Sequence, residues 1–251
     1  MDLREHKVIA RRHPWEIVRL KVLEYILNKC IINKQVVHKV LDVGCGDAYI
    51  IKALYRMFNF KIIDGVDINL SSEQLVSFKP KDTSVHLYNN YDNLELYELI
   101  LLNDIIEHVE DDRAFLSNIA AHYLAPGGYI IITVPAFQFL FSSHDDFLSH
   151  FRRYNLKELE ELINQLGMKR IESGYLFFSL LPIRFLMKIL EIVFPAKSTP
   201  NKGIGDWRGG KIISSIIENI LLIDSYILLT LSFLHIRIPG LSAWILCQKQ
   251  L

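Results

Sequence analysis

Short apolar runs alternate with amphipathic stretches through the first two thirds of the chain. Strands are predicted at the short apolar runs 40–43, 61–66, 84–88, 99–102 and 129–134. Helices are predicted where apolar residues recur at helical spacing, at 14–29, 48–57, 70–78, 111–123 and 155–166. The run 99–102 is apolar throughout, as is typical of a central parallel strand. Strands that alternate with helices in this way predict an α/β fold with a doubly wound, mainly parallel sheet.

The last third of the chain is more apolar. Residues 175–194 and 211–233 are predicted to be helices, joined by a polar linker over 196–210, and 242–247 is predicted to be a closing strand. Charged residues interrupt both helices, and each charge would cost about 2.5–3.5 kcal/mol inside a membrane span, so we do not predict that either helix crosses a membrane. Two interpretations stay open. The helices cover each other and the sheet edge, or they present an in-plane surface to a membrane or lipid substrate.

Differences in apolar content and in the predicted elements divide the chain into three parts. We predict an N-terminal helical segment over 1–37, a cofactor-binding core over 38–174, and an apolar helical insertion with the closing strand over 175–251. Six basic side chains against two acidic ones lie between Arg184 and Lys211. That excess of positive charge would suit anionic lipid headgroups.

Composition narrows the class of protein. The chain has 251 residues, 51% of them hydrophobic, and a mean hydropathy of +0.21. This length suits one α/β domain, and the high apolar content predicts that some apolar side chains are exposed on its surface. The formal net charge is zero, but residues 40–112 carry five basic and fourteen acidic side chains. An acidic centre argues against nucleic-acid binding and would attract a cationic cofactor. Three scattered cysteines and a start without a signal-peptide core predict a cytoplasmic protein with no metal site.

The first strand ends in an acid and two glycines, Asp42, Gly44 and Gly46. Glycines let the backbone turn sharply and approach a ligand closely, and an acid that ends the second strand, Asp67, can accept hydrogen bonds from a ribose. Both a dinucleotide and S-adenosylmethionine fit this outline. A dinucleotide site needs a small residue where this chain has Tyr49, and the surrounding acids favour a sulfonium cation over a pyrophosphate.

Four motifs in order resemble those of the class I S-adenosylmethionine-dependent methyltransferases. They are Val-Leu-Asp-Val-Gly-Cys-Gly-Asp at 40–47, Gly-Val-Asp-Ile at 65–68, the fourth strand with its Ile-Glu-His extension at 97–109, and Leu-Ala-Pro-Gly-Gly at 124–128. The resemblance implies a Rossmann-like methyltransferase fold with seven strands, and S-adenosylmethionine as the cofactor. The Pro-Gly-Gly segment is expected to be a turn before the fifth strand.

The same resemblance implies which residues hold the cofactor. The methionine moiety would be surrounded by Asp42, Gly44 and Gly46, and its amino-acid portion would contact Asn103. The ribose would be held by Asp67, and the adenine would lie against Ile68 and contact Asn89 or Asn90. For Glu107 and His108, a role facing the cofactor or substrate and a role at a helix start both stay open.

The loop over 136–154 follows the fifth strand. Ligands of open α/β sheets bind beyond the carboxyl ends of the strands, so this loop would cover the transferred methyl group. Histidine has the pKa of a general base near neutral pH, and the candidates are His144 and His150. Candidates for acceptor binding are Arg152, Arg153 and Tyr154. In an alternative, Asp145 and Asp146 pair with the two arginines and only order the loop.

The predicted function is methyl transfer from S-adenosylmethionine to an acceptor held under this loop. The loop resembles that of a bacterial subgroup of these methyltransferases associated with surface-polysaccharide or lipid-linked sugar pathways. The first choice of acceptor is an amphipathic or lipid-linked glycan or an isoprenoid, and a water-soluble metabolite is the rival. An NAD-dependent oxidoreductase and a non-catalytic, membrane-recruited adaptor also stay open. An anionic membrane surface is a further expected partner, and no oligomeric state is predicted.

Overall fold

A computed structural model describes residues 12–33, 35–78, 82–194 and 209–250. Seven strands form one sheet in the order β3-β2-β1-β4-β5-β7-β6. The strands are β1 Lys39–Val43, β2 Ile62–Val66, β3 Val85–Tyr88, β4 Tyr97–Asn103, β5 Leu124–Pro135, β6 Lys169–Leu176 and β7 Ser242–Gln248. β1 to β5 pair in parallel, and β7 is antiparallel to both β5 and β6. The seven-stranded, mainly parallel α/β sheet that we predicted is confirmed.

Helices lie on both faces of this sheet. They are α1 Pro14–Leu27, α2 Tyr49–Met57, α3 Ser72–Phe78, α4 Asp112–His122, α5 Ser143–Leu148, α6 Leu156–Gln165, α7 Leu181–Val193 and α8 Lys211–Phe233. Successive residues of a strand point to opposite faces of the sheet, so β4 contributes side chains to two hydrophobic cores, one on each face. Leu99 and Leu101 pack on the side of α1, α2 and α8, and Ile100 and Leu102 pack on the side of α4 and α6.

Three local predictions differ from the structure. The strand β6 was not identified from the sequence, and its last two residues, 175–176, stood at the start of a predicted helix. The chain then turns through Phe178–Leu180 before α7 begins. The Pro-Gly-Gly segment lies inside β5 rather than before it. It forms a bulge, because β5 advances from Leu124 to Tyr129 while its partner strand advances only from Tyr97 to Leu99.

The inner side of α8 packs against α1 and β6. Three serines of α8 are buried there: Ser214, Ser225 and Ser232. The close approach of α8 to β6 needs a glycine, since a Cβ at Gly174 would collide with Ser232 Oγ. Asp224 accepts hydrogen bonds from the backbone N–H and the hydroxyl of Ser179, at 2.9 and 2.8 Å. The predicted linker over 196–210 lies mostly outside the described residues.

Candidate active site

Two glycines, Gly44 and Gly46, allow the sharp turns of the loop between β1 and α2. Gly44 has a φ of +73°, and an added Cβ would collide with the side chain of Ile105. The N–H of Gly44 donates to Val66 O at 2.7 Å, and the N–H of Gly46 donates to Asp67 Oδ2 at 3.1 Å. The glycines therefore bring the end of β1 into contact with the end of β2, where the ribose is expected.

The residues after β2 and β3 line the predicted adenosine side. Asp67 Oδ1 accepts a hydrogen bond from Asn69 N at 2.9 Å, so the carboxylate is held between two backbone segments. Ile68 is 68% exposed, which leaves an apolar surface available for a ring. Asn89 Nδ2 donates to the backbone carbonyl of Leu70 at 3.3 Å, and the side chain of Asn90 is exposed. The structure brings the predicted ribose and adenine residues to one edge of the sheet.

The predicted methionine side is buried. Asp42 lies at the end of β1 with 2% exposure, and burial raises its pKa to about 7, with the negative charge of Asp67 acting in the same direction. Asn103 ends the neighbouring strand β4. Its Nδ2 is buried and has no hydrogen-bond partner among the described residues. A buried carboxyl group next to a buried amide fits the α-amino and α-carboxylate groups of a bound amino-acid moiety.

Two arginines of the N-terminal segment reach this edge, and sequence reasoning did not identify them. Arg12 contacts the carboxylate of Asp47, and its guanidinium carbon lies 3.9 Å from the centre of the Tyr49 ring. Arg19 contacts Asp104 after β4, and burial lowers its pKa to about 10. Two arginine–aspartate pairs therefore tie the N-terminal segment to the ends of β1 and β4, which we call the cofactor edge. The Arg-His-Pro-Trp-Glu stretch over 12–16, which spans the start of α1, is the signal that marks this segment.

On the acceptor side, Asp145 organises the loop. It is fully buried and accepts two hydrogen bonds from Arg153, at 2.8 Å on Oδ1 and 3.0 Å on Oδ2. His150 Nδ1 lies 2.9 Å from Oδ1. Burial opposes ionisation of this carboxyl group, yet the hydrogen bonds from His150 and Arg153 hold its pKa well below the usual range. The Asp145–Arg153 half of the alternative ion-pair network is therefore present.

The other predicted acceptor residues also have partners within the protein. Arg152 pairs with Asp112 at 3.2 Å, and the hydroxyl of Tyr154 donates to the same carboxylate at 2.7 Å. Arg153 is 8% exposed. Substrate binding by Arg152, Arg153 and Tyr154 stays a prediction, and the contacts seen here serve to order the loop.

The two candidate bases lie in different surroundings. His144 is half-buried on α5, and burial lowers its pKa. The ring of His150 lies edge-on to that of His108, with centroids 4.5 Å apart. Glu107 is next to His108 and is fully buried, and burial raises its pKa to about 8. The structure thus brings His150 together with Glu107 and His108.

Comparison with known proteins identifies the family. A family of methyltransferase domains matches residues 15–191. This range includes almost all of α1, the residues predicted to bind the cofactor, and the loop over 136–154, which we call the acceptor loop. The chain belongs to this family. Its sheet is that of a class I S-adenosylmethionine-dependent methyltransferase, and its cofactor is S-adenosylmethionine. The NAD-dependent oxidoreductase finds no support in these matches.

Relatives of known name cover only part of the chain. The methyltransferase resembles the ubiquinone biosynthesis O-methyltransferase of Rickettsia typhi, with 31% identity over 117 residues, 44% of this chain and 47% of that protein. It spans about half the length of the curated relatives it matches. A SAM-dependent methyltransferase from Archaeoglobus fulgidus has 17% identity and a TM-score of 0.51, with 92% of this chain and 94% of that chain covered.

A second solved structure was determined with the cofactor bound. Phosphoethanolamine N-methyltransferase 2 of Haemonchus contortus, in complex with S-adenosyl-L-methionine, has 19% identity and a TM-score of 0.52, with 92% of this chain and 57% of that chain covered. At these identities the likeness of the two solved structures shows the fold.

Proposed function

We propose that this methyltransferase transfers a methyl group from S-adenosylmethionine to an oxygen atom of an amphipathic acceptor that it meets at a membrane surface. The choice of oxygen is supported by relatives named O-methyltransferases of ubiquinone biosynthesis. Ubiquinone carries an isoprenoid tail, and an isoprenoid or lipid-linked acceptor would need an apolar surface beside the reaction centre. The observation that carries the proposal is such a surface on α7.

Eight of the thirteen residues of α7 are large, apolar and exposed, and we call this surface the apolar face. They are Ile183, Phe185, Leu186, Met187, Ile189, Leu190, Ile192 and Val193. Full burial of one such side chain contributes about 1.5–3 kcal/mol, so a surface of this size favours contact with lipid or an apolar tail. Exposed apolar clusters of this kind mark binding surfaces.

The apolar face is joined directly to the acceptor loop. Arg184 of α7 contacts the hydroxyl of Ser142 and lies 3.5 Å from Asp145 Oδ2. Glu191 accepts a hydrogen bond from the N–H of Ser143 at 3.0 Å. A tail lying on α7 would therefore begin beside the loop that carries His144 and His150.

The same surface supports peripheral binding to a membrane. In the described part of the chain, one helix, α8, is long and apolar enough to cross a membrane. Its inner side, however, packs on α1 and β6 and buries three serines. We therefore place α7 and the outer side of α8 in the plane of the interface, with basic side chains toward anionic headgroups.

The test uses the full chain with paired acceptors and paired variants. A hydroxylated aromatic ring is offered with and without a long isoprenoid tail, in phosphatidylcholine vesicles with or without phosphatidylglycerol. The tail should raise kcat/KM, and anionic vesicles should co-sediment the protein. Leu186→Glu should remove both effects, because it places a charge on the apolar face. The matched control is Val76→Glu, which makes the same change at an exposed apolar position of α3.

Other outcomes would refute parts of the proposal. Equal rates with and without the tail, together with no co-sedimentation, would point to a water-soluble acceptor. Binding of S-adenosylhomocysteine and of vesicles without methylation of any oxygen acceptor would favour the membrane-recruited adaptor.

A further inference from the structure

Two histidines and a glutamate converge between the end of β4 and the acceptor loop. One ligand atom from each of Glu107, His108 and His150 lies within 4.8 Å of the other two. The first two residues belong to the short helical turn Ile106–His108, and the third follows α5. The N–H of Phe151 donates to the backbone carbonyl of Glu107 at 2.7 Å, so the two segments are fixed to each other.

The carboxyl group of Glu107 lacks the partners that burial demands. The residue is fully buried, and neither of its side-chain oxygens has a hydrogen-bond partner among the described residues. A buried polar group without a partner costs about 1–3 kcal/mol, and an ionised one costs more. A bound cation would supply the missing partner for this carboxyl group.

His150 is prepared as a ligand by its neighbour. Its Nδ1 lies 2.9 Å from Asp145 Oδ1, and the same oxygen accepts a hydrogen bond from Arg153 Nε at 2.8 Å. A carboxylate at Nδ1 fixes the proton on that nitrogen and leaves the lone pair of Nε2 free to bind a metal. This carboxylate–histidine pair is the arrangement that orients metal-binding histidines in zinc sites.

The set of donors specifies the kind of cation. Two imidazoles and one carboxylate form the ligand set of catalytic zinc sites and of non-haem iron(II) sites. Metal–ligand bonds of about 2.0–2.2 Å at tetrahedral angles place donor atoms about 3.3–3.6 Å apart. The three donor atoms lie within 4.8 Å of one another, so side-chain rotations that bring them closer by up to about 1.5 Å complete the site. Three protein ligands leave at least one coordination position for an outside oxygen.

We propose that Glu107, His108 and His150 bind one divalent transition-metal cation, and that this cation binds the acceptor hydroxyl during methyl transfer. The second part rests on the proposed function. This differs from the expectation of no metal site, because the ligands belong to segments far apart in the chain, where no sequence spacing marks them. The proposal also gives His150 a different role, as a metal ligand instead of the general base.

The reaction balances without a redox partner. The cation lowers the pKa of the acceptor hydroxyl, whose proton passes to solvent water. The oxygen then attacks the methyl carbon and forms the C–O bond. The C–S bond breaks, its electron pair stays on sulfur, and the sulfonium becomes a neutral thioether. No electron is gained or lost at the metal.

The test is a cobalt(II) titration of the full-length, metal-stripped protein. Cobalt(II) replaces zinc in such sites and shows visible absorption bands that report its ligands. The wild type should bind one equivalent with such bands, and zinc should displace it. His150→Ala and Glu107→Gln should each weaken binding at least 100-fold. The matched control His122→Ala, at an exposed histidine of α4, should bind as the wild type does.

S-adenosylhomocysteine binding is measured on every variant, since it reports a folded cofactor site. A wild-type protein that binds S-adenosylhomocysteine but no cobalt overturns the metal proposal and leaves the proposed function standing. Unchanged cobalt affinity in both ligand variants overturns it as well. Metal binding without oxygen methylation would instead refute the proposed function and the role of the cation in it. If His150→Ala does not fold, Glu107→Gln, which keeps the shape of the side chain, tests whether these residues bind the cation.

Discussion

Asp42 offers a direct test of how the cofactor edge works. Its carboxyl group is buried at the end of β1, and burial raises its pKa from 3.8 to about 7. Replacement by Asn keeps the size and shape of the side chain and removes the titration. We expect Asp42→Asn to remove one component of the pH dependence of stability, and its sign and size follow from the pKa.

A group whose pKa is higher in the folded state than in the unfolded state binds its proton more tightly when folded. Its contribution to the free energy of unfolding is complete below about pH 4 and is lost as the pH rises toward about 7. The difference between 3.8 and about 7, at about 1.4 kcal/mol per pH unit, gives about 4 kcal/mol. Relaxation around the charge would make the measured loss smaller, so this figure is an upper bound.

Urea unfolding of both proteins at a series of pH values measures this loss. Relative to Asp42→Asn, the wild type should lose up to about 4 kcal/mol between about pH 4 and pH 7 and little more above it. S-adenosylhomocysteine, whose ammonium group is expected beside Asp42, should bind the wild type more tightly over the same rise in pH. A stability difference that is constant with pH would refute burial as the cause of the raised pKa. Affinity independent of pH would refute the placement of Asp42 beside the amino-acid portion.

Two further substitutions test the loops around the site. Gly44→Ala should lower both the melting temperature and the affinity for S-adenosylhomocysteine, because left-handed backbone costs about 1–2 kcal/mol for alanine and the added methyl collides with Ile105. Gly167→Ala has a similar φ of +66° but no described atom within 4 Å of the added Cβ, so an equal loss of stability in both would contradict the collision. Arg153→Met should cost about 3–5 kcal/mol in urea unfolding, because the buried charge of Asp145 loses both hydrogen bonds from Arg153, and a loss below about 1 kcal/mol would show that His150 and Arg184 suffice.

The parallel half of the sheet could be predicted because each strand carries its signal in a few consecutive residues. Residues 99–102 are apolar on both faces of the sheet, and the structure buries all four. β6 has no such signal. Its first two residues are exposed, and its pairing with β7 is fixed by a strand far along the chain. The bulge in β5 was missed for a related reason, because a Pro-Gly-Gly segment predicts a turn whether or not the flanking residues pair.

The two halves of the candidate site differ in the same way. The cofactor half is built at the ends of consecutive parallel strands, so Asp42, Gly44 and Asp67 are placed by local sequence and topology together. The acceptor half forms only when a loop after β5 folds back onto the turn after β4. Its central contact, His150 beside Glu107 and His108, joins residues that no spacing rule connects. The convergence also explains why Asp145 is buried. A loop that must hold one histidine at a fixed place needs charged partners packed against it, and Arg153 supplies two of the hydrogen bonds to Asp145.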